Sequence, residues 1–250
     1  MKYSNLTMAP RWRAPGLMAM GALVVSMASG ILSATPVTGT ANIDGSATVD
    51  STSITFFNNL NVPGLFDASS PNNGSYTGLT GGTMLALSGG PTTGPDLINA
   101  FATFFVPTGN VIFDLQSIAP GVGTLAGCAS NTVGNVCTPP GSPFTLTQLS
   151  ANTVQIGLVL NGVAHTGTAA SGTSATTGIF TAQRVPGTIT GILAQVSPCA
   201  PGQSTNCGGI SQSFSATFAS TSAVPEPATF GLLGGALLGL GFVRTRRIRS

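Results

Sequence analysis

Charge is what this chain has least of. Only 6% of its 250 residues are Asp, Glu, Lys or Arg, where an ordinary soluble domain carries about 25%. Between residues 35 and 222 the one cation is Arg184, set against Asp44, Asp50, Asp67, Asp96 and Asp114, and this stretch holds no Lys and no Glu. Its net charge is therefore −4. Without a basic cluster it cannot neutralise a run of phosphates, which argues against a nucleic-acid partner. Disorder of the charged, hydrophilic kind is excluded by the same scarcity.

Groups that do chemistry are equally sparse. His165 is the single histidine, so Ser-His-Asp or Cys-His catalysis would have to run through it, and no Gly-x-Ser-x-Gly elbow occurs to supply a nucleophile. The five aspartates sit singly in turns and strands, whereas glycoside hydrolysis needs two acids converging on one bond. Asp44 and Asp50 lack the alternating ligands of a calcium loop. Arg184, as the lone cation, reads as one structural salt bridge or a hydrogen bond to a loop carbonyl, with a ligand carboxylate as the alternative partner. The glycine-rich stretch 121–127 resembles a dinucleotide loop only in passing, because a cysteine loop follows it where a phosphate-binding helix should begin. The body is expected to be non-enzymatic, with no metal and no cofactor.

What the body does have is alternation. Val111, Phe113 and Leu115 alternate with Ile112, Asp114 and Gln116; Val154, Ile156, Leu158 and Leu160 alternate with more polar neighbours, as do Phe214, Ala216 and Phe218. Period two argues for strands with one buried face. Further strands are expected at 47–57, 74–79, 83–87, 101–106, 164–169, 178–185 and 187–196, with 95–105 either a strand or a short helix. Asn161-Gly162 reads as a hairpin turn, and the low-complexity stretch 167–178 as a loose loop or edge. Nine to eleven short strands with dense turns predict an all-β fold, a single β-sandwich or jelly roll over 35–218.

Four cysteines form two local pairs, Cys128 with Cys137 and Cys199 with Cys207. Four cysteines allow three connectivities; in an exported chain the two short loops favour local disulfides, each stabilising the fold by about 2–3 kcal/mol. Zinc would need Cys-x-x-Cys spacing, which neither pair has.

The two ends of the chain explain why export is expected. Lys2, Arg11 and Arg13 precede an apolar stretch at 16–32 and then small residues, the pattern of a signal peptide over 1–34 cleaved between 30 and 34. An uncleaved anchor is the alternative. At the other end, a Ser/Thr linker at 219–223 leads into Val224, Pro225, Glu226 and Pro227, an uncharged apolar run at 228–243, and Arg244, Arg246, Arg247 and Arg249. A hydrophobic segment with arginines behind it stops in a bilayer with the basic end on the cytoplasmic side.

That order resembles the PEP-CTERM sorting signal of bacterial surface proteins: a Pro-Glu-Pro motif, a transmembrane helix and a basic tail, here spanning 224–250. The resemblance implies recognition by an exosortase in the inner membrane of an exopolysaccharide-producing Gram-negative bacterium, followed by placement at the cell surface or in the extracellular matrix. A sortase signal would need Leu-Pro-x-Thr-Gly, which is absent, and a GPI signal ends without arginines. A plain C-terminal membrane anchor is the competing reading. The middle of the body, at 101–106, 113–115 and 128–144, also resembles a recurrent type of PEP-CTERM exported protein, which bears on fold and location alone. A structural or interaction protein, in contact with exopolysaccharide, is the function expected. A lectin-like carbohydrate-binding module is the alternative, although Tyr76 is the body's only Tyr or Trp; a secreted hydrolase comes third.

Overall fold

The computed structural model describes residues 36–50, 53–88, 94–167, 172–197 and 208–222, with side chains left out at 183 and 184. Twelve strands form one antiparallel sheet. Eight of them close on themselves: β1 (Gly39–Val49), β3 (Leu65–Ser69), β4 (Gly81–Met84), β6 (Gly94–Phe104), β7 (Val111–Ile118), β10 (Thr153–Thr166), β11 (Ser174–Pro186) and β12 (Ile210–Thr221), with β12 returning to β1. Each pairs with its neighbour in chain order among the eight, the up-and-down arrangement that leaves a barrel without a free edge.

The body is thus a barrel and not a sandwich or jelly roll. Alternation reports which face of a strand is buried and is the same in both architectures. Closure depends on β1 pairing with both β12 and β3, and β10 with both β7 and β11, so no seam separates two sheets.

The other four strands belong to a split at one end. β10 pairs with β9 (Thr145–Ser150) over its first residues and with β7 only from Leu160 onward. On the opposite side β1 pairs with β3 through Asp44 and then with β2 (Ser53–Phe57) from Ser46. β5 (Leu87–Ser88) and β8 (Val136–Cys137) extend these two flaps. The end where β1 starts and β12 finishes is called the base below, and the split end the top.

Aromatic rings fill the barrel. Phe218 lies 5.0 Å from Phe104, 5.2 Å from Phe113 and 5.5 Å from Phe180 between ring centroids, each in an edge-to-face arrangement, the geometry that aromatic quadrupoles favour. An eight-stranded barrel has just the width that side chains can fill.

Several local expectations change. Residues 74–79 form no strand: Gly74–Tyr76 is a 3-10 turn that drops Tyr76, fully buried, into the base. The stretch 47–57 is a hairpin of β1 and β2, turned where Ser53 N–H donates to Asp50 Oδ1 at 2.7 Å. Residues 187–196 hold a helix, α1 (Ile189–Val196), capped by Thr188, whose Oγ1 accepts the Gly191 N–H. Ile189, Ile192, Leu193 and Val196 pack against the top's own core of Cys137, Leu146, Val154, Ile156, Val185 and Ile210, at spacings of three, four and seven that a helix aligns on one face.

Asn161-Gly162 is no turn either. β10 runs straight through it, opposite a bulge that leaves Gln116 of β7 out of the register, and the glycine is required there because a Cβ would strike the Asp114 carbonyl oxygen and stand 2.7 Å from the Phe113 ring. Residues 174–178 of the low-complexity stretch lie inside β11, paired with β10 and, from Ala175, with β12 as well. Strand β12 continues through Ala219, Ser220 and Thr221, residues the sequence assigns to the linker. The signal peptide and the transmembrane helix expected at 228–243 lie outside the described residues; among those described, no helix is long and apolar enough to cross a membrane.

Candidate functional site

The barrel brings together two groups that are 51 residues apart in sequence. Asp114, on the outward side of β7, takes a hydrogen bond from His165 Nε2 at 3.1 Å and a second, from the Ala100 N–H to Oδ1, at 2.6 Å. Ala100 has φ +50°, a left-handed conformation that a non-glycine residue holds only when its surroundings insist on it. It lies in the bulged part of β6, between Ile98 opposite Leu115 and Ala102 opposite Phe113. The carboxylate is therefore the pin that ties this bulge to β10 across β7.

As a catalytic dyad the pair is poorly arranged. Nε2 faces the carboxylate, and the other ring nitrogen, Nδ1, is enclosed, with no hydrogen-bond partner. His165 is only 4% exposed. A base must come within hydrogen-bond reach of the proton it takes, and this nitrogen faces no open space. The sequence signalled Asp114 as an outward strand residue, but the register set by the bulge opposite Asn161-Gly162 decides what stands beside it.

The remaining carboxylates are held apart from this pair. Asp44 and Asp67 are direct cross-strand neighbours, bridged by Asn59, whose backbone N–H donates to Asp67 at 2.7 Å and whose side chain reaches Asp44 at 3.4 Å. Asp50 belongs to the β1–β2 turn. Among the described residues no three His, Cys, Asp or Glu side chains gather as metal ligands. The 121–127 stretch is a turn, with Thr124 bridging to Cys137 and a 3-10 helix, Ala126–Ala129, after it.

Cys128 and Cys137 form the expected disulfide, with an S–S distance of 1.96 Å and Cα atoms 4.7 Å apart. Cys199 and Cys207 lie outside the described residues, as do Val224, Pro225, Glu226, Pro227 and the four tail arginines; the Arg184 side chain is likewise not described.

One cavity of about 40 Å³ separates the barrel core from the core of the top, lined by apolar side chains including Ile54, Phe56, Phe144, Leu158, Phe180 and Phe214. The pocket is half open, and its apolar lining offers a water no polar partners.

Comparison with known proteins adds one finding. Residues 223–247 match the family described as PEP-CTERM protein-sorting motif. No curated protein and no solved structure matches the chain. The match falls on the residues that carry the Pro-Glu-Pro motif, the apolar run and the first three arginines of the tail, and it leaves the barrel without a counterpart. The chain carries a PEP-CTERM protein-sorting motif in its C-terminal segment, which implies export and sorting at a membrane.

Proposed function

We propose that this protein is an exosortase substrate displayed at the cell surface or in the extracellular matrix, where its barrel serves a non-enzymatic structural or interaction role in contact with exopolysaccharide. The observation that carries this reading is the sorting motif at 223–247 attached to a barrel packed with phenylalanine. The enclosed Nδ1 of His165 weighs in the same direction. A lectin stacks sugars mainly on Trp or Tyr, and Tyr76, the body's single Tyr or Trp, is fully buried, which leaves Phe105 as the exposed ring among the described residues.

Processing of the tail is the test. A plain anchor needs only hydrophobicity and arginines, and is indifferent to Glu226. A sorting enzyme has to read side chains at the membrane edge, where the two prolines hold the chain extended around Glu226. In the native host the surface fraction should yield an intact mass lacking residues 228–250, and Glu226→Ala should keep the tail and hold the protein in the inner membrane. Normal processing of Glu226→Ala, or a native protein that keeps its arginines in a host with an exosortase, would return the tail to the status of a simple anchor.

A further inference from the structure

We infer that the base of the barrel is its membrane-facing surface: while the tail is attached, the rim made by 71–75 and 105–110 rests on the lipid headgroups. The inference relies on 228–243 being the membrane segment, as the sorting reading requires.

Geometry supplies the first half of the argument. Gly39 at the start of β1 pairs with Ser220 near the end of β12, so the chain enters and leaves the barrel at the same end. The exit is firmly held. Thr221 pairs with Ala175, and the Ser220 hydroxyl bonds both Tyr76 Oη and Thr176 Oγ1 at 2.7 Å. The tether is consequently shorter than a linker beginning at 219 would give. From Thr221 to the first residue of the apolar run, Ala228, there are seven residue steps, which at full extension span at most about 25 Å. The top is a further eleven residue steps along β12, about 36 Å along the strand and about 28 Å along the axis of a barrel whose strands tilt by about 40°. With a headgroup layer of about 5–8 Å on each side of the hydrocarbon, the base stays near the bilayer and the top does not reach it while the barrel stands upright.

Chemistry supplies the second half, by deciding between standing and lying down. The side wall carries Asp44, Asp67 and Asp114, which anionic headgroups repel. No charged residue occurs at 36–41, 70–80 or 105–110. The base offers hydroxyls and amides, among them the exposed Asn73, Thr77, Thr108 and Asn110, which can donate to phosphate and glycerol oxygens. Phe105, 39% exposed, stands on the same rim, where its N–H bonds Gly81 O. An apolar ring at such an edge can bury itself at the boundary between headgroups and acyl chains.

The experiment uses the exported form of the protein, with the signal peptide removed and the tail retained, so that Trp12, the chain's one tryptophan, is gone. It is reconstituted through its tail into phosphatidylethanolamine/phosphatidylglycerol vesicles that contain brominated lipid. Single tryptophans are placed on the rim, by Phe105→Trp or Thr108→Trp, and at the top, by Val122→Trp, where the native side chain is 77% exposed. Fluorescence of both rim variants should be quenched and that of the top variant should not. A long Gly/Ser insert after Ser222 should abolish rim quenching while the protein still floats with the vesicles. Quenching at 122 equal to that at 105 and 108, a floating protein with no quenching at either rim position, or quenching unchanged by the insert would each overturn the inference. Loss of flotation with the native tail would instead show that 228–243 is not a membrane segment, a separate failure.

Discussion

The base and the top of this barrel solve one problem with different materials. At the base the backbone circuit is complete: every strand finds a partner on both sides, and the space inside is closed by Tyr76 hydrogen-bonded to Ser220, itself bonded to Thr176. At the top the circuit opens: β11 pairs with β12 only as far as Thr181 opposite Ser215, and β1 and β10 leave β3 and β7 for the flaps of β2 and β9. Side chains and a covalent bond do the joining there. Fully buried Gln148 gives its Nε2 to the Ser150 carbonyl at 2.6 Å and accepts the Ile189 N–H at 3.0 Å, and so fixes the start of α1 to the β9–β10 hairpin. Cys128–Cys137 clips the loop that packs on that helix. Where ladder hydrogen bonds are complete, apolar packing suffices; where they stop, polar clamps and a disulfide take over.

The largest test of this contrast removes packing from the closed half. Phe218 touches Phe104, Phe113 and Phe180, and truncating such a side chain typically costs about 3–5 kcal/mol. Phe218→Ala should lower the stability of the body by that amount in urea denaturation and speed hydrogen exchange at both ends, since the whole circuit closes around this ring. A loss confined to the base would mean that the top is stable on its own.

Removing the disulfide should act more weakly and on one end only. Replacing both Cys128 and Cys137 by serine releases a loop of sequence separation 9, worth about 2–3 kcal/mol in the chain-entropy picture. Amides such as Gly134, which bonds Gln148 O, should exchange faster while those of β12 keep their protection. Equal acceleration in β1 and β12 would show that the two ends unfold as one unit.

These differences track how much was legible in the sequence. Phe113 and Leu115, or Phe214, Ala216 and Phe218, announce strands because a strand with one buried face must alternate, and they are strands. Closure is not a local property: nothing in the alternation of β10 says that both its edges are paired. Asn161-Gly162 has the composition of a hairpin turn, yet Gly162 is there because the Asp114 carbonyl and the Phe113 ring leave no room for a Cβ. The helix was signalled by Ile189, Ile192, Leu193 and Val196, but over eight residues of partly β-branched sequence the period is short enough to pass for a strand. The bulge opposite Asn161-Gly162 sets the register of His165 beside Asp114, so this pair could not be found from spacing alone. The sorting motif needs no fold to be recognised, and the stretch 223–247 was legible from the order of its residues alone.

The smallest expected effect in water at neutral pH grows in alkali, and it concerns the base. Burial pushes the Tyr76 phenol from 10 up to about 12, with the Ser220 hydrogen bond pulling weakly the other way, because the phenolate would lose its hydration inside the barrel. The folded protein therefore holds this proton more tightly than the unfolded chain. Its contribution to stability is complete below pH 10 and is lost as the pH rises from 10 through about 12. Tyr76→Phe leaves the Ser220–Thr176 bond in place and gives up one neutral hydrogen bond, about 1 kcal/mol, at pH 7. Between pH 10 and 12 the variant should lose less stability than the native protein, so the difference between them should shrink and then reverse. Urea midpoints across that range measure it. The full chain has one other tyrosine, Tyr3, so tyrosinate absorbance supplies an independent reading of the late-ionising phenol, and its disappearance in the variant identifies Tyr76. Parallel curves for the two proteins would show that the alkaline loss arises elsewhere and that the base does not depend on an un-ionised phenol.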